Sequence, residues 1–111
     1  MAKPIRYRAQ AQQDFADIIA YYEIEAGVDT ALIFTDELQR TYRSVADAPG
    51  IGSPRFGEIA RIPGLRSRMV RRFPYLVFYI EQRDHVEMLR ILHARRDIPA
   101  CLADPSDDFS S

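Results

Sequence analysis

The sequence predicts an α+β domain of two layers, in which an antiparallel helical hairpin packs on one face of a small, mainly antiparallel sheet. Three observations carry that expectation. Apolar residues recur at helical spacing through the first half of the chain, at Ala11, Phe15, Ile18, Ile19 and Tyr22 and again at Ala31, Phe34, Leu38, Tyr42 and Val45. From residue 65 onward the spacing becomes that of strands, with an aromatic, β-branched run at 75–80. Between the halves, Pro49, Gly50, Gly52, Pro54 and Gly57 punctuate the chain. Helices segregated in sequence from strands give a helix layer on a sheet rather than alternating crossovers.

The elements follow in order. Ile5 and Tyr7 alternate with Arg6 and Arg8, so residues 4–9 form a half-buried strand. The first helix places Gln12, Gln13, Asp14, Asp17 and Glu23 opposite its apolar stripe, and Gly27 supplies the stop. Asp29 or Thr30 is the expected cap of the second helix, which runs to the Pro49-Gly50 break. So short a connection folds the two helices back on each other. Residues 49–57 are expected to hold no regular structure. Ile62-Pro63-Gly64-Leu65 has the composition of a type II turn. Residues 65–73 then read as a strand with Arg66, Arg68, Val70 and Arg72 on one face, stopped by Pro74. Residues 75–80 are apolar on both faces, which marks a central strand. A polar turn at Gln82-Arg83-Asp84 leads into a last strand at 85–93. Residues 1–98 form the expected single domain, and 99–111 an acidic, flexible tail.

With 111 residues and 47% apolar content the chain is sufficient for one hydrophobic core. No apolar run approaches the ~20 residues that span a bilayer, so no membrane role is expected. The opening residues lack the apolar stretch of a secretory signal, and Cys101 stands alone, which together favour the cytoplasm. His85, His93 and Cys101 show no paired ligand spacing, so neither a metal nor a cofactor is expected. Gly50-Ile51-Gly52 lacks the Lys-Ser/Thr of a phosphate loop, and Gly52-Ser53-Pro54 is no nucleophile elbow.

Charge is partitioned along the chain although the net charge is only −1. Residues 10–50 hold eight acids against two bases, and residues 51–96 ten bases against four acids. Blocks of this kind form interaction surfaces of opposite sign. The basic block interleaves Arg66, Arg68, Arg71, Arg72, Arg90, Arg95 and Arg96 with the aromatic strand. Arginine on a rigid sheet grips carboxylates and phosphates bidentately. Two helices cover one sheet face only, so Tyr75, Val77 and Tyr79 are expected to line an open apolar face between the arginines. Arg90, His93, Arg95 and Arg96 also suit acid–base chemistry on a phosphodiester, with His93 shuttling the proton.

Three motifs then converge: Ile-Pro-Gly-Leu-Arg-Ser-Arg at 62–68, Arg-Arg-Phe-Pro-Tyr-Leu-Val-Phe-Tyr at 71–79, and Arg-Ile-Leu-His-Ala-Arg-Arg-Asp at 90–97. With Tyr7, Ala11, Asp14, Ile18 and Tyr22 upstream, the chain resembles the ParE branch of the RelE/ParE superfamily of toxin–antitoxin toxins over residues 4–98. The resemblance implies a β-α-α-β-β-β domain and a toxin held silent by a cognate, ParD-like antitoxin. It implies contact with operator DNA only through that antitoxin. It also implies DNA gyrase as target, with RelE-like ribosome-dependent cleavage of mRNA as the alternative activity and a degenerate, non-toxic antitoxin-binding module as a third reading. In RelE-like members a tyrosine follows six residues after the arginine matched by Arg96; here Leu102 stands there, and Lys3 is the only lysine. The expectation is therefore a toxin that acts by binding, through Arg66, Arg68, Arg71, Arg72, Tyr75, Val77, Tyr79, Arg90, His93, Arg95 and Arg96.

Overall fold

The computed structural model describes residues 2–103. Strand β1 (Ile5–Tyr7) leads into helices α1 (Ala9–Glu25) and α2 (Val28–Asp47). A 3-10 turn (Pro49–Ile51) and a short helix α3 (Arg55–Ala60) follow. Strands β2 (Leu65–Met69), β3 (Tyr75–Glu81) and β4 (Val86–His93) complete the sheet, and α4 (Ile98–Leu102) closes the described chain. The sheet order is β1-β4-β3-β2, with β1 parallel to β4 and the other pairs antiparallel. The expected α+β architecture is the one observed.

Gly27 organises the hairpin. Its φ of 96° is open to glycine and strained for other residues. Its N–H donates to the Tyr22 carbonyl to finish α1, and its own carbonyl accepts the Ala31 N–H to begin α2. The expected cap at Asp29 or Thr30 is therefore corrected: α2 starts at Val28, earlier than either residue. Thr30 instead donates to the Ala26 carbonyl at 3.3 Å. Asp29 lies in the first turn, where its charge faces the positive end of the helix.

Residues 49–57 are more regular than their glycines and prolines suggest, because the 3-10 turn and α3 are built from them. Short helices of this sort need only a few local bonds and a packed face. Tyr79 ties the segment to the sheet. Its hydroxyl accepts from the Gly52 N–H at 2.9 Å and donates to the Pro49 carbonyl at 2.7 Å. A Cβ on Gly52 would collide with that hydroxyl and with the Ser67 carbonyl, so glycine is required for the close approach. At the other end of α3 the type II turn is as expected: Gly64 has φ 80°, and the Leu65 N–H donates to the Ile62 carbonyl.

Both faces of the sheet are covered, which corrects the expected open face. Val77 and Tyr79 share a buried core with Phe34, Leu38, Val45 and Met88 beneath the helical hairpin. The other face, with Leu65, Phe78, Leu89 and Leu92, packs on Ile98, Leu102 and Phe56 from α4 and α3. The start of the expected tail is corrected too: Ile98–Leu102 is a short helix that buries Ile98 and Leu102, with the Asp97 carboxylate accepting the Ala100 N–H at its start. Residues 104–111 lie outside the described residues.

Burial raises the hydroxyl pKa of Tyr7, Tyr22, Tyr42, Tyr75 and Tyr79 above its ordinary value, with the neighbouring Tyr75 adding to the effect at Tyr22. Unfolded tyrosines release their protons near pH ~10. The folded chain holds these protons longer, so above that pH the unfolded state binds fewer of them and stability falls as pH rises. The thermal midpoint is expected to decline above about pH 10 in step with the rise of phenolate absorbance on unfolding. A midpoint still level at about pH 11 would refute this account.

Candidate functional site

The arginine block divides into three environments. Arg66 and Arg68 lie on β2 and pair in register with Tyr79 and Val77 of β3. Both are half-buried, and the Arg66 guanidinium donates to the Gly52 carbonyl at 2.7 Å. Arg71 and Arg72 are exposed, but they do not lie on a strand face as expected. β2 ends at Met69, and the chain turns through Arg72 at φ 73° before Phe73 and Pro74. The Val70 N–H donating to the Tyr75 carbonyl closes this hairpin. The turn is seated by Phe73, whose ring packs edge-on against Phe34 at 5.1 Å and Tyr22 at 5.5 Å. One arginine of the turn, Arg72, comes within 4.0 Å of Glu37, a buried carboxylate of α2 whose Oε1 has no hydrogen-bond partner.

Arg90 occupies a wholly different environment. It is 7% exposed, and its guanidinium grips the Asp14 carboxylate with Nε–Oδ2 at 2.9 Å and Nη2–Oδ1 at 3.1 Å. The same carboxylate accepts the Ile91 N–H at 2.9 Å. The arrangement follows from the topology. β1 pairs with β4 only as far as Met88, and Leu89 forms an irregularity in the register with β3, so the β4 edge beyond lacks a strand partner. Asp14 takes the edge N–H that a longer β1 would have taken. Sequence reasoning placed Asp14 on the polar side of α1, and the structure corrects this: it is 8% exposed. The available signal was position, since Asp14 stands about one turn from both Ala11 and Ile18 of the buried stripe.

His93 and Tyr75 are register partners at the end of the sheet, their rings edge-on at 5.2 Å. With Arg96, Tyr21, Asp14 and Asp17 they line a shallow pocket of about 250 Å³. The Arg95 N–H donates to His93 Nδ1 at 3.1 Å, which leaves Nε2 to carry the proton of the neutral ring. The Arg95 and Arg96 side chains are exposed. Of the residues considered for phosphodiester chemistry, His93 and Arg96 therefore share a pocket. Arg90 is committed to Asp14, and the pocket carries two carboxylates that repel a phosphate. Val77 and Tyr79 are fully buried, so neither presents an anchor to a partner, while Tyr75 is half-buried beside His93.

Among the described residues no group of three or more His, Cys, Asp or Glu side chains is placed to hold a metal ion, and no helix is long and apolar enough to cross a membrane.

Known proteins resemble this chain in sequence and in shape. Toxin ParE1 of Caulobacter vibrioides is 34% identical over 93 residues, which cover 82% of this chain and 88% of that protein. A solved structure described as the chromosomal ParDE TA system from P. aeruginosa matches with a TM-score of 0.72 at 18% identity. That match covers 85% of this chain and 98% of the other, and it is a likeness of fold alone. Residues 5–98 match the family model described as the ParE toxin of the type II toxin–antitoxin system parDE, and the chain belongs to that family.

Proposed function

We propose that this chain is the toxin of a type II module that arrests bacterial growth in the cytoplasm by binding and poisoning DNA gyrase, and that a cognate antitoxin neutralises it. Family membership supports the module and the antitoxin. The observation that carries binding over cleavage is the Asp14–Arg90 pair, which withdraws one of the arginines that phosphodiester chemistry would need. What the fold leaves accessible is a basic turn, Arg71 and Arg72, beside the half-buried Arg66 and Arg68. Such a surface suits an acidic segment of an antitoxin. A second reading, RNA cleavage, is favoured by one observation: His93 and Arg96 meet in a pocket with two tyrosines.

Induced expression separates the readings. Gyrase poisoning gives filamentation and linear DNA breaks, ribonuclease action gives cleaved transcripts with intact DNA, and an inert module gives normal growth. For the antitoxin surface, Arg71→Glu with Arg72→Glu is expected to weaken antitoxin binding at least ~10-fold, about 1.4 kcal/mol, and to flatten its salt dependence. Both side chains are exposed, so the fold should survive the change, with some stability lost where Arg72→Glu brings a like charge toward Glu37. Unchanged affinity in calorimetry would remove the turn from the interface.

A further inference from the structure

The end of the helical hairpin carries a feature that the arginine surface does not explain. Tyr21, Ile24, Val28, Leu32 and Ile33 are all exposed there, Ile24 at 80%. They are brought together because α1 passes to α2 through only Ala26 and Gly27. Scattered exposed apolar residues are ordinary, but five within residues 21–33, on either side of one helix connection, are a concentration of the kind that marks an interface. The two helices that carry it contribute only acidic charge there, while Arg96 beyond Tyr21 and Arg72 beside Glu37 come from other elements. Glu25 and Asp29 flank the connection, Asp17 lies one turn before Tyr21, and Asp36 lies one turn after Leu32, all exposed. Between Arg8 and Arg40 the sequence contains no lysine or arginine. An acidic antitoxin segment is repelled by such a rim, and a basic one is attracted.

We infer that the hairpin tip is a second docking surface, which seats in an apolar recess rimmed by lysine and arginine on the target. The inference rests on the reading of gyrase as target and names the part of this chain that would touch it. An enzyme that handles duplex DNA meets the phosphates with basic surfaces, and an acidic tip with an apolar centre is complementary to such a surface. The toxin then divides its contacts by charge: arginines for the antitoxin, the acidic apolar tip for the target.

The test uses purified gyrase holoenzyme and the full-length toxin, with Ile24→Ser plus Leu32→Ser as one variant and Glu25→Lys plus Asp29→Lys as another. All four positions are exposed, so both variants should fold, with a small drop in the thermal midpoint where Asp29→Lys reverses the charge at the start of α2, and retained binding of the antitoxin reports an intact fold. The expected result is a loss of at least ~10-fold in gyrase affinity for each variant, with antitoxin affinity within about 3-fold of wild type. Wild-type binding should also weaken as salt is raised. If wild type and both variants bind gyrase alike, the tip assignment falls while the gyrase reading stands. If wild type does not bind gyrase at all, both fall. Two other outcomes overturn the assignment: variants that lose the antitoxin while still folded, and a wild-type dimer in light scattering that the serine variant dissolves. The first gives the tip to the antitoxin, the second to another copy of this chain.

Discussion

Asp14→Ala is expected to cost about 3–5 kcal/mol of folding stability, because it removes the carboxylate that a buried arginine grips at two points. The carboxylate accepts two bonds from the Arg90 guanidinium, one from the Ile91 N–H and a long one from Gln10 Nε2 at 3.5 Å. Truncation removes this acceptor from a site where the Asp14 and Arg90 side chains are both more than nine-tenths buried. The Cys101 carbonyl, at 3.4 Å from Arg90, is a weak substitute for a carboxylate. Asp14→Asn is the informative companion, since it retains an acceptor for Ile91 but removes the charge, and it should fall between wild type and alanine. Arg90→Met in the Asp14→Leu background should be milder than Asp14→Ala alone, because removing both charges leaves no ion unpaired. Urea unfolding measures all of these, and a loss below about 1 kcal/mol for Asp14→Ala would show that the pair is peripheral to stability.

Phe34→Ala is expected to cost a similar amount, about 3–5 kcal/mol, with a second effect on the basic turn. Phe34 is fully buried at the centre of an aromatic cluster, with Tyr22, Phe73 and Tyr75 at 5.6, 5.1 and 5.6 Å. The ring joins α2 to the turn of the β2–β3 hairpin and to the first residue of β3. Its removal opens a cavity and unseats Phe73, which is adjacent in sequence to Arg72 and holds that residue's left-handed backbone in place. Antitoxin affinity should therefore drop in the variant even at temperatures where it remains folded. Phe34→Leu keeps much of the volume and should retain most of both properties. A destabilised variant with wild-type antitoxin affinity would dissociate the turn from the cluster.

Most of the architecture was legible in periodicity, because the two helices and the strands β3 and β4 bury whole faces and so write their period into the sequence. Gly27 and Gly64 were legible for a different reason: each sits at a positive φ that other side chains resist. What escaped notice depends on contacts between distant residues. Asp14 looks like a surface carboxylate until Arg90, 76 positions later, arrives beside it. Nor do residues 55–60 and 98–102 show in six and five residues a period long enough to detect, yet they cover the second face of the sheet. Val77 and Tyr79 were expected at a surface for another reason: β3 is apolar on both faces, so its pattern does not say which face the helical hairpin covers, and these two lie beneath it. The arginines were read correctly as a concentration of charge, but their backbone geometry, a turn in place of the end of a strand, depends on Phe73 finding the cluster under α2.

The pairing of β1 with β4 has a consequence in time. Ile5 meets Val86, so β1 waits on the ribosome until β4 is made before it has a partner. At roughly 5–20 residues per second, several seconds separate the two. During that interval α1 is without the strand whose arginine neutralises Asp14, and β3 lacks one of its neighbours. Closure is a long-range event of the slow kind, deferred until β4 has been made. A chain not yet carrying β4 thus holds no completed sheet, and any action that depends on the sheet begins only after that delay.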